Sequence, residues 1–419
     1  MRLSHALSAA GLLAAACLAI PHASAQDLPP LGTIERIIPQ LQEPLAAARI
    51  SFHRKETPAD AACNMQPFEM TLARDGRAKP NQYSVFLNPQ HSEPVVPRQM
   101  LALINRLAVD ADGAARAYHP EDVYGKGICT RDKNRDGKET LHGICALDSF
   151  ASSGIRIFHG TERVRFPNPS KQPKEAAAAV AKWKDFWTLI RDHKLPSIDF
   201  KVIGGPLAPD GYRMFYWKDE KLAAFFKRAI IPHTHDGYPC LHGDGSRYPG
   251  YFITATTLTQ RSEIRPDGCA PTRYIDALEI PFFVLPGGSI GTAQLGDIVI
   301  GFYKSGRIER LAFGIAADAG PAEQFGEGSV AFNRILLGDT KKPVINITDV
   351  NSFHISGERL KADNATLAIL VLGGTKQRLD GDYSRDNIEK VGRAELARWN
   401  GGGANMTMRL NACIRQARP

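Results

Sequence analysis

The sequence lacks a hydrophobic segment long enough to span a membrane. Its N-terminal uncharged run, residues 6–20, is shorter than the ~20 residues of a spanning helix, and no later stretch is long and apolar enough. Arg2 precedes this run and small residues at 23–25 follow it, which is typical of a secretory signal peptide cleaved after the last of them. We therefore predict that residues 1–25 are a signal peptide and that the mature protein is secreted or periplasmic. Cys17 inside the run leaves lipidation as the alternative.

Internal repeats, low-complexity tracts and clustered basic runs are also missing. The formal net charge of +8 is spread along all 419 residues. A mild basic excess of this kind favours contact with an anionic surface but specifies no partner. We therefore predict no nucleic-acid partner and infer no protein partner.

Two common hydrolase signatures are missing as well. The cysteine spacings do not resemble a zinc site, and no HExxH helix is present. The stretch "GGSIG" around Ser289 lacks the G-x-S-x-G spacing of a nucleophile elbow. These absences argue against a zinc hydrolase and against a Ser-His-Asp hydrolase.

Two polar clusters are candidates for ion binding. "RDKNRDGKE" matches the first half of a calcium loop, but Gly143 stands at position twelve, where a bidentate Glu belongs. "PHTHDGYPCLHGD" groups three histidines, yet the turn residues between them do not impose a ligand geometry. We favour a polar turn and a polar loop over metal sites, and we predict no cofactor. The side chains concerned are Asp132, Asn134, Asp136 and Glu139 with Gly137 in the first cluster, and His233, His235, His242, Asp236 and Asp244 in the second.

The mature chain keeps six cysteines, an even number in a protein bound for an oxidising compartment. Disulfide bonds are the natural interpretation. Closeness in sequence predicts the pairs Cys129 with Cys145 and Cys240 with Cys269, which leaves Cys63 for Cys413.

The pattern of apolar residues predicts a mainly β fold with a few helices, α+β overall. Residues 171–195 give the strongest helix signal, with Pro173 in the first turn and one broad apolar face. After Pro196 short strands follow one another, as in a β-barrel or sandwich, and "SVAFNRILL" and "DNIEKVGRAELARW" are the main helices between them. The predicted strands are "YSVFLNP", "FKVIGG", "YRMFYW", "YFITATTLT", "YIDALEIPFFVLP", "DIVIGFY", "RLAFGIAAD" and "TLAILVLGG".

The stretch "RLAFGIAADAGPAEQFGEGSV" places two carboxylates, Asp318 and Glu327, at the edges of a glycine-marked loop. Bulky residues alternate with small ones before Asp318, as where something must approach a sheet closely. Ser329 is a good N-cap, so Glu327 lies beside a helix N-terminus that favours its ionised form. Asp318, at the end of an apolar strand, is expected to be desolvated and to have a raised pKa. Two carboxyls with separated pKa values are typical of a glycosidase acid/base pair, and an ordinary acidic turn is the alternative.

Seven stretches between about residues 100 and 376 follow one another in an order that is similar to a known family. They are "DADGAARAYHPED", "ALDSFASSG", "YPGYFITATTLT", "RYIDALEIPFFVLPGG", "LGDIVIGFY", "AFGIAADAGPAEQFGEGSVAFNRIL" and "LAILVLGGTK". Together they resemble glycoside hydrolase family 75, the chitosanases, and its bacterial relatives. The resemblance implies a six-stranded double-psi-type β-barrel core with added helices and insertions.

The same resemblance implies catalytic residues, because the family's catalytic segment carries an essential Asp and Glu at the positions of Asp318 and Glu327. It implies endo-acting hydrolysis of the β-1,4 links of chitosan, partly deacetylated chitin, with inversion at the sugar carbon. We assign Asp318 as general acid and Glu327 as base, an order that the resemblance leaves open. Ala319 stands where fungal members have Thr, which bears on the substrate. Asp276 is a candidate for binding an amino sugar, with capping of a turn as the alternative.

These observations predict a secreted, chitosanase-like glycoside hydrolase. We divide the chain into the signal peptide, an N-terminal extension at 26–99, the barrel domain at 100–376 with a helical insertion near 171–195, and a C-terminal tail with a helix at 377–419. A positive net charge suits a polycationic polymer poorly, so a peptidoglycan-directed enzyme is one alternative. A non-catalytic polysaccharide or cell-wall binding protein is the other.

Overall fold

The structure is a computed structural model that describes most of the chain between residues 49 and 417, with gaps. The described residues are 49–56, 61–73, 80–88, 98–121, 156–159, 162–164, 172–195, 197–199, 211–216, 231–260, 269–341, 350, 352–402 and 405–417. The predicted signal peptide, the calcium-like cluster, the Cys129 and Cys145 pair and the "FKVIGG" strand lie outside these residues.

Sixteen strands and five α-helices are formed by the described residues. The strands are β1 (Arg49–Arg54), β2 (Gln66–Ala73), β3 (Asn81–Leu87), β4 (Gln99–Ile104), β5 (Ala108–Asp110), β6 (Arg156–His159), β7 (Glu162–Arg163), β8 (Ser197–Asp199), β9 (Tyr212–Tyr216), β10 (Phe282–Pro286), β11 (Ser289–Ile290), β12 (Ala293–Gln294), β13 (Ile298–Ser305), β14 (Ile308–Gly320), β15 (Glu327–Ser329) and β16 (Ala365–Leu372). The α-helices are α1 (Pro173–Arg191), α2 (Val330–Leu337), α3 (Gly357–Ala362), α4 (Arg385–Trp399) and α5 (Met408–Ala417).

Ten of these strands form one mixed sheet, in the order β1-β2-β3-β4-β16-β13-β14-β10-β15-β5. Neighbouring strands are antiparallel except for β10 with β14 and β15 with β5, which are parallel. A second sheet has the order β7-β6-β9-β8, and β11 pairs with β12. The fold is therefore mainly β and α+β overall, as predicted, while the six-stranded double-psi barrel stays a prediction.

The segment predicted as an N-terminal extension contributes β1, β2 and β3 to the large sheet, next to β4. A disulfide from Cys63 to Cys413 joins this segment to α5, and the Arg409 side chain donates to the Cys63 carbonyl at 2.7 Å. Cys240 and Cys269 form a second disulfide. Both pairings confirm the sequence prediction, and the predicted domain boundaries stay a prediction.

The two faces of the large sheet are covered by different helices. On the first, which we call the α2 face, a Cβ added to Gly301 or Gly314 would lie 2.7 or 3.0 Å from the ring of Phe332. The small residues predicted to admit a close approach therefore admit this phenylalanine. On the opposite side, the α4 face, a Cβ added to Gly392 would lie 2.7 Å from the ring of Phe313.

The three predicted helices are confirmed as α1, α2 and α4. Helix α1 begins with Pro173 and buries Trp183 and Ile190 in the core. Helix α2 follows the predicted N-cap, because the Ser329 hydroxyl accepts the Phe332 N–H at 3.1 Å. None of the helices in the described ranges is long and apolar enough to cross a membrane.

Most predicted strands are confirmed, in β3, β9, β10, β13, β14 and β16, although β10 occupies only the last part of "YIDALEIPFFVLP". The strand predicted in "YFITATTLT" is wrong, because residues 251–259 make only isolated bridges. Their N–H groups are divided among several elements and do not follow one ladder. Phe252 donates to the Tyr118 carbonyl, Ile253 to that of Cys240 and Leu258 to that of Ala317.

Candidate active site

Asp318 reaches its position through an irregularity in β14. Phe283 of β10 pairs with Ala316, but the next residue, Val284, pairs with Asp318, so Ala317 is an extra residue on β14. In a regular strand Asp318 would share the side of Ala316, the α2 face, because side chains alternate. The extra residue moves Asp318 to the α4 face, where Val284 is buried.

Three donors hold the Asp318 carboxylate. The backbone N–H groups of Thr257 and Ala319 donate to Oδ1 at 3.0 and 2.8 Å, and the Thr257 hydroxyl donates to the same oxygen. The Asp318 side chain is buried while Thr257 is exposed, so the carboxylate lies just below the surface. Hydrogen bonds from donors stabilise the ionised form of a carboxylic acid.

Glu327 begins β15, which is paired with both β10 and β5. The pKa of Glu327 is raised to about 7. Burial is the largest cause and the charge of Asp318 the second, whereas the charge of Arg106 lowers the pKa. The prediction that the helix N-terminus keeps Glu327 ionised is therefore wrong. A helix end contributes ~0.3 to 1 kcal/mol, which desolvation of a buried carboxyl exceeds.

The position of Gly320 indicates where the Glu327 carboxyl lies relative to Asp318. It lies two residues after Asp318 on β14, on the same side of the strand, and a Cβ built on it would be 3.8 Å from Glu327 Oε2. Residues two apart on a strand are ~7 Å apart, so Asp318 and the Glu327 carboxyl lie near each other on the same side of β14. An inverting glycosidase would need ~6.5 to 9.5 Å between its two carboxyls, to leave room for a water.

The sequence analysis missed two further acids, Asp110 and Asp112, although "DADG" opens one of the family-like stretches. β5 runs parallel to β15 with Asp110 opposite Ser329, which brings both aspartates to Asp318. The Asp112 N–H donates to Asp110 Oδ1 at 2.7 Å, and the Tyr118 hydroxyl donates to Asp112. A buried turn therefore holds both acids in place.

Full ionisation of this cluster is unfavourable. Burial raises the pKa of Asp110 well above its usual range, and the charges of Asp112, Asp318 and Glu327 raise it further. Carboxylate oxygens of Asp110, Asp112 and Asp318 lie within 4.8 Å of one another, so these three are the described residues best placed to hold a cation. A proton on Asp110, like a bound cation, would reduce the repulsion between these carboxylates.

Asp276, the predicted substrate-binding residue, lies on the neighbouring loop. Its Oδ1 accepts the Leu278 N–H at 2.8 Å, so it caps a turn, which was the alternative role. Burial raises the pKa of Asp276 to about 6. Asp276 also lines a cavity of about 290 Å³ whose lining does not include Asp318 or Glu327.

The histidine loop does not gather into a ligand set within the described ranges. His242 is buried and lines the same cavity as Asp276, whereas His235 is exposed and His233 is partly buried. Among the described residues, the acids Asp110, Asp112 and Asp318 are the group with metal-ligand spacing.

The chain matches no protein-family model, and a search of curated proteins finds no match.

Proposed function

We propose that this protein is a secreted, endo-acting glycoside hydrolase that cleaves β-1,4 links of chitosan by an inverting acid/base mechanism. The observation that carries the proposal is the pair Asp318 and Glu327. They lie near each other on the same side of β14, and their surroundings favour opposite ionisation states. The resemblance of the surrounding stretches to chitosanases supplies the substrate.

We propose that Glu327 is the general acid and Asp318 the general base, which is the opposite of the assignment made from the sequence. Glu327, with its pKa raised to about 7, keeps a proton in mildly acidic solution and acts as general acid. Asp318, held by three donors, stays ionised and acts as general base. Glu327 gives its proton to the glycosidic oxygen as the bond to C1 breaks, while Asp318 takes a proton from the water whose oxygen bonds to C1.

Peptidoglycan is the second candidate substrate, because the net charge of +8 does not favour a polycationic polymer. A non-catalytic polysaccharide-binding protein is the third candidate, since a fold does not determine activity. The two enzymatic candidates share the acid/base pair and differ in the glycan that is cut.

Proton NMR of the products from chitosan, chitin oligomers and peptidoglycan tests the proposal, because it reports the substrate and the anomer together. We expect release of chitosan oligomers with inverted configuration, and kcat/KM that falls above about pH 7 as Glu327 loses its proton. Asp318→Asn and Glu327→Gln should each lower kcat by at least ~100-fold. Asp244→Asn, an exposed acid on the histidine loop, is the matched control and should keep wild-type kcat.

Full activity in Asp318→Asn or Glu327→Gln would remove that residue from the mechanism. Retained configuration in the first product would contradict single displacement. Binding to insoluble glycan without any product would favour the non-catalytic protein.

A further inference from the structure

A cavity of about 290 Å³ lies next to the turn that follows β5, and we call it the His242 cavity. It is bounded by the turn after β5, by residues 253–260, by residues 271–276 and by His242. The residues that line it are Gly113, Ala115, His242, Ile253, Thr254, Gln260, Pro271, Thr272, Tyr274 and Asp276. Residues 254–257 connect this cavity to the carboxylate site, because Thr254 lines the first and Thr257 binds Asp318 in the second.

His242 lines this cavity. The side chain is 8% exposed, and its Nε2 has no hydrogen-bond partner within the described part of the chain. Its backbone is held on both sides, because its N–H donates to the Tyr251 carbonyl and its carbonyl accepts the Gly250 N–H. Burial lowers the pKa of His242, so the ring is neutral and can donate or accept a hydrogen bond. A buried polar atom without a partner destabilises the fold, and a ligand hydroxyl or amide that pairs with it would offset this cost.

Asp276 provides the acceptor on another wall. Its Oδ1 is occupied by the Leu278 N–H, which fixes the carboxyl and leaves the second oxygen available to a ligand. Tyr274 and Ile253 add apolar surface next to these polar groups. Apolar walls with a few fixed polar groups are typical of small-molecule sites.

Charges around the cavity disfavour a cationic ligand. Arg116 acts electrostatically on Asp276 and lowers the pKa of that carboxyl, against the larger effect of burial. The Arg273 guanidinium lies 5.8 Å from the centre of the Tyr274 ring. An ammonium group entering here would meet one desolvated carboxyl and two arginines, whereas an uncharged amide or hydroxyl meets no repulsion.

We infer that the His242 cavity is a subsite for one uncharged sugar ring, an N-acetylated amino sugar, of the glycan that is cut at Asp318 and Glu327. This inference rests on the proposed function. The Cα atoms of Thr254, which lines the cavity, and Thr257, which binds Asp318, are at most ~10 Å apart, a span that one chain of linked sugars can cover. The protein would then recognise an acetylated residue within partly deacetylated chitin.

Calorimetric titration of the Glu327→Gln protein tests this subsite without turnover. The probes are the N-acetylglucosamine tetramer and the glucosamine tetramer. We expect the acetylated tetramer to bind at least ~10-fold more tightly, and a further Asp276→Asn change to weaken its binding ~10-fold, since Asn keeps the turn cap but replaces the acceptor by a donor. Glu175→Gln removes an exposed charge on α1, outside the cavity lining, and should leave Kd unchanged.

His242→Ala should weaken binding to a similar degree, and Gln260→Ala is the second variant if the buried substitution prevents folding. Thermal unfolding of every variant verifies the fold. Equal or tighter binding of the glucosamine tetramer would overturn the assigned ligand class. An unchanged Kd in both Asp276→Asn and Gln260→Ala would overturn the subsite.

The results that would contradict the subsite differ from those that would contradict hydrolysis. If the wild-type protein releases sugars but Kd for the acetylated tetramer does not depend on Asp276, the hydrolase stands and the subsite falls. If binding depends on Asp276 but no glycan is cleaved, the subsite stands and the hydrolase falls.

Discussion

Replacing Glu327 by glutamine should stabilise the protein at alkaline pH while it removes activity. The pKa of Glu327 is about 7 in the folded protein against an ordinary value of 4.5, because burial and the charge of Asp318 disfavour the carboxylate. Between these two values the folded protein holds a proton that the unfolded chain releases. The free energy of unfolding therefore falls as the pH rises through this window.

The size of the effect follows from the same values. Each tenfold change in a proton equilibrium corresponds to about 1.4 kcal/mol, so the ionised Glu327 destabilises the fold at pH 8 by on the order of 3 kcal/mol. Glutamine has nearly the same shape and no charge. We expect Glu327→Gln and wild type to have similar free energies of unfolding at pH 4.5, and the variant to be more stable by about 3 kcal/mol at pH 8.

Urea unfolding at both pH values, with the disulfides intact, measures this difference. Glu175→Gln, the same chemical change at an exposed site on α1, is the control and should show no such difference between the two pH values. If Glu327→Gln were no more stable than wild type at pH 8, Glu327 would be ionised without penalty, and its assignment as general acid would be refuted.

Two further substitutions test the hydrogen bond that holds Asp318 and the packing of the strand that carries it. Thr257→Val removes the hydroxyl donor to Asp318, which should raise the pKa of that carboxyl. We therefore expect the acid limb of the pH dependence of kcat/KM to move to higher pH. An unmoved limb would show that this hydrogen bond does not affect the general base. Gly314→Ala should lower the free energy of unfolding by ~1 to 3 kcal/mol, since its Cβ would lie 2.8 Å from a backbone carbonyl and 3.0 Å from the Phe332 ring. Gly243→Ala, where the added Cβ meets nothing within 4 Å, is the control in the same urea titration; equal stability of the two variants would contradict this packing.

Local sequence signals predicted the local elements well. The N-cap Ser329 and the apolar spacing after it are sufficient to predict α2, and Pro173 with an alanine-rich stretch predicts α1. The alternation of bulky and small residues in β14 also predicted a close approach, which Phe332 makes. These features depend on residues within a few positions of one another.

The same signals failed where hydrogen-bond partners come from elsewhere in the chain. Residues 251–259 are rich in β-branched and aromatic side chains, which predicts a strand, but their N–H groups donate to acceptors from separate parts of the chain. The prediction that Glu327 stays ionised failed for a related reason. A helix N-terminus is readable from Ser329, whereas the burial of Glu327 between β10 and β5 is not.

The sequence by itself determined the disulfide pairs at Cys63 with Cys413 and Cys240 with Cys269, the main helices, most strands and the identity of the two acids as candidates. Only the tertiary structure decided which side of the sheet Asp318 faces and which other acids surround it. One extra residue, Ala317, reverses the direction of the Asp318 side chain, and the parallel pairing of β5 with β15 brings Asp110 from more than 200 positions away. Strand register and desolvation are set by the whole fold, and they determine which carboxyl keeps its proton.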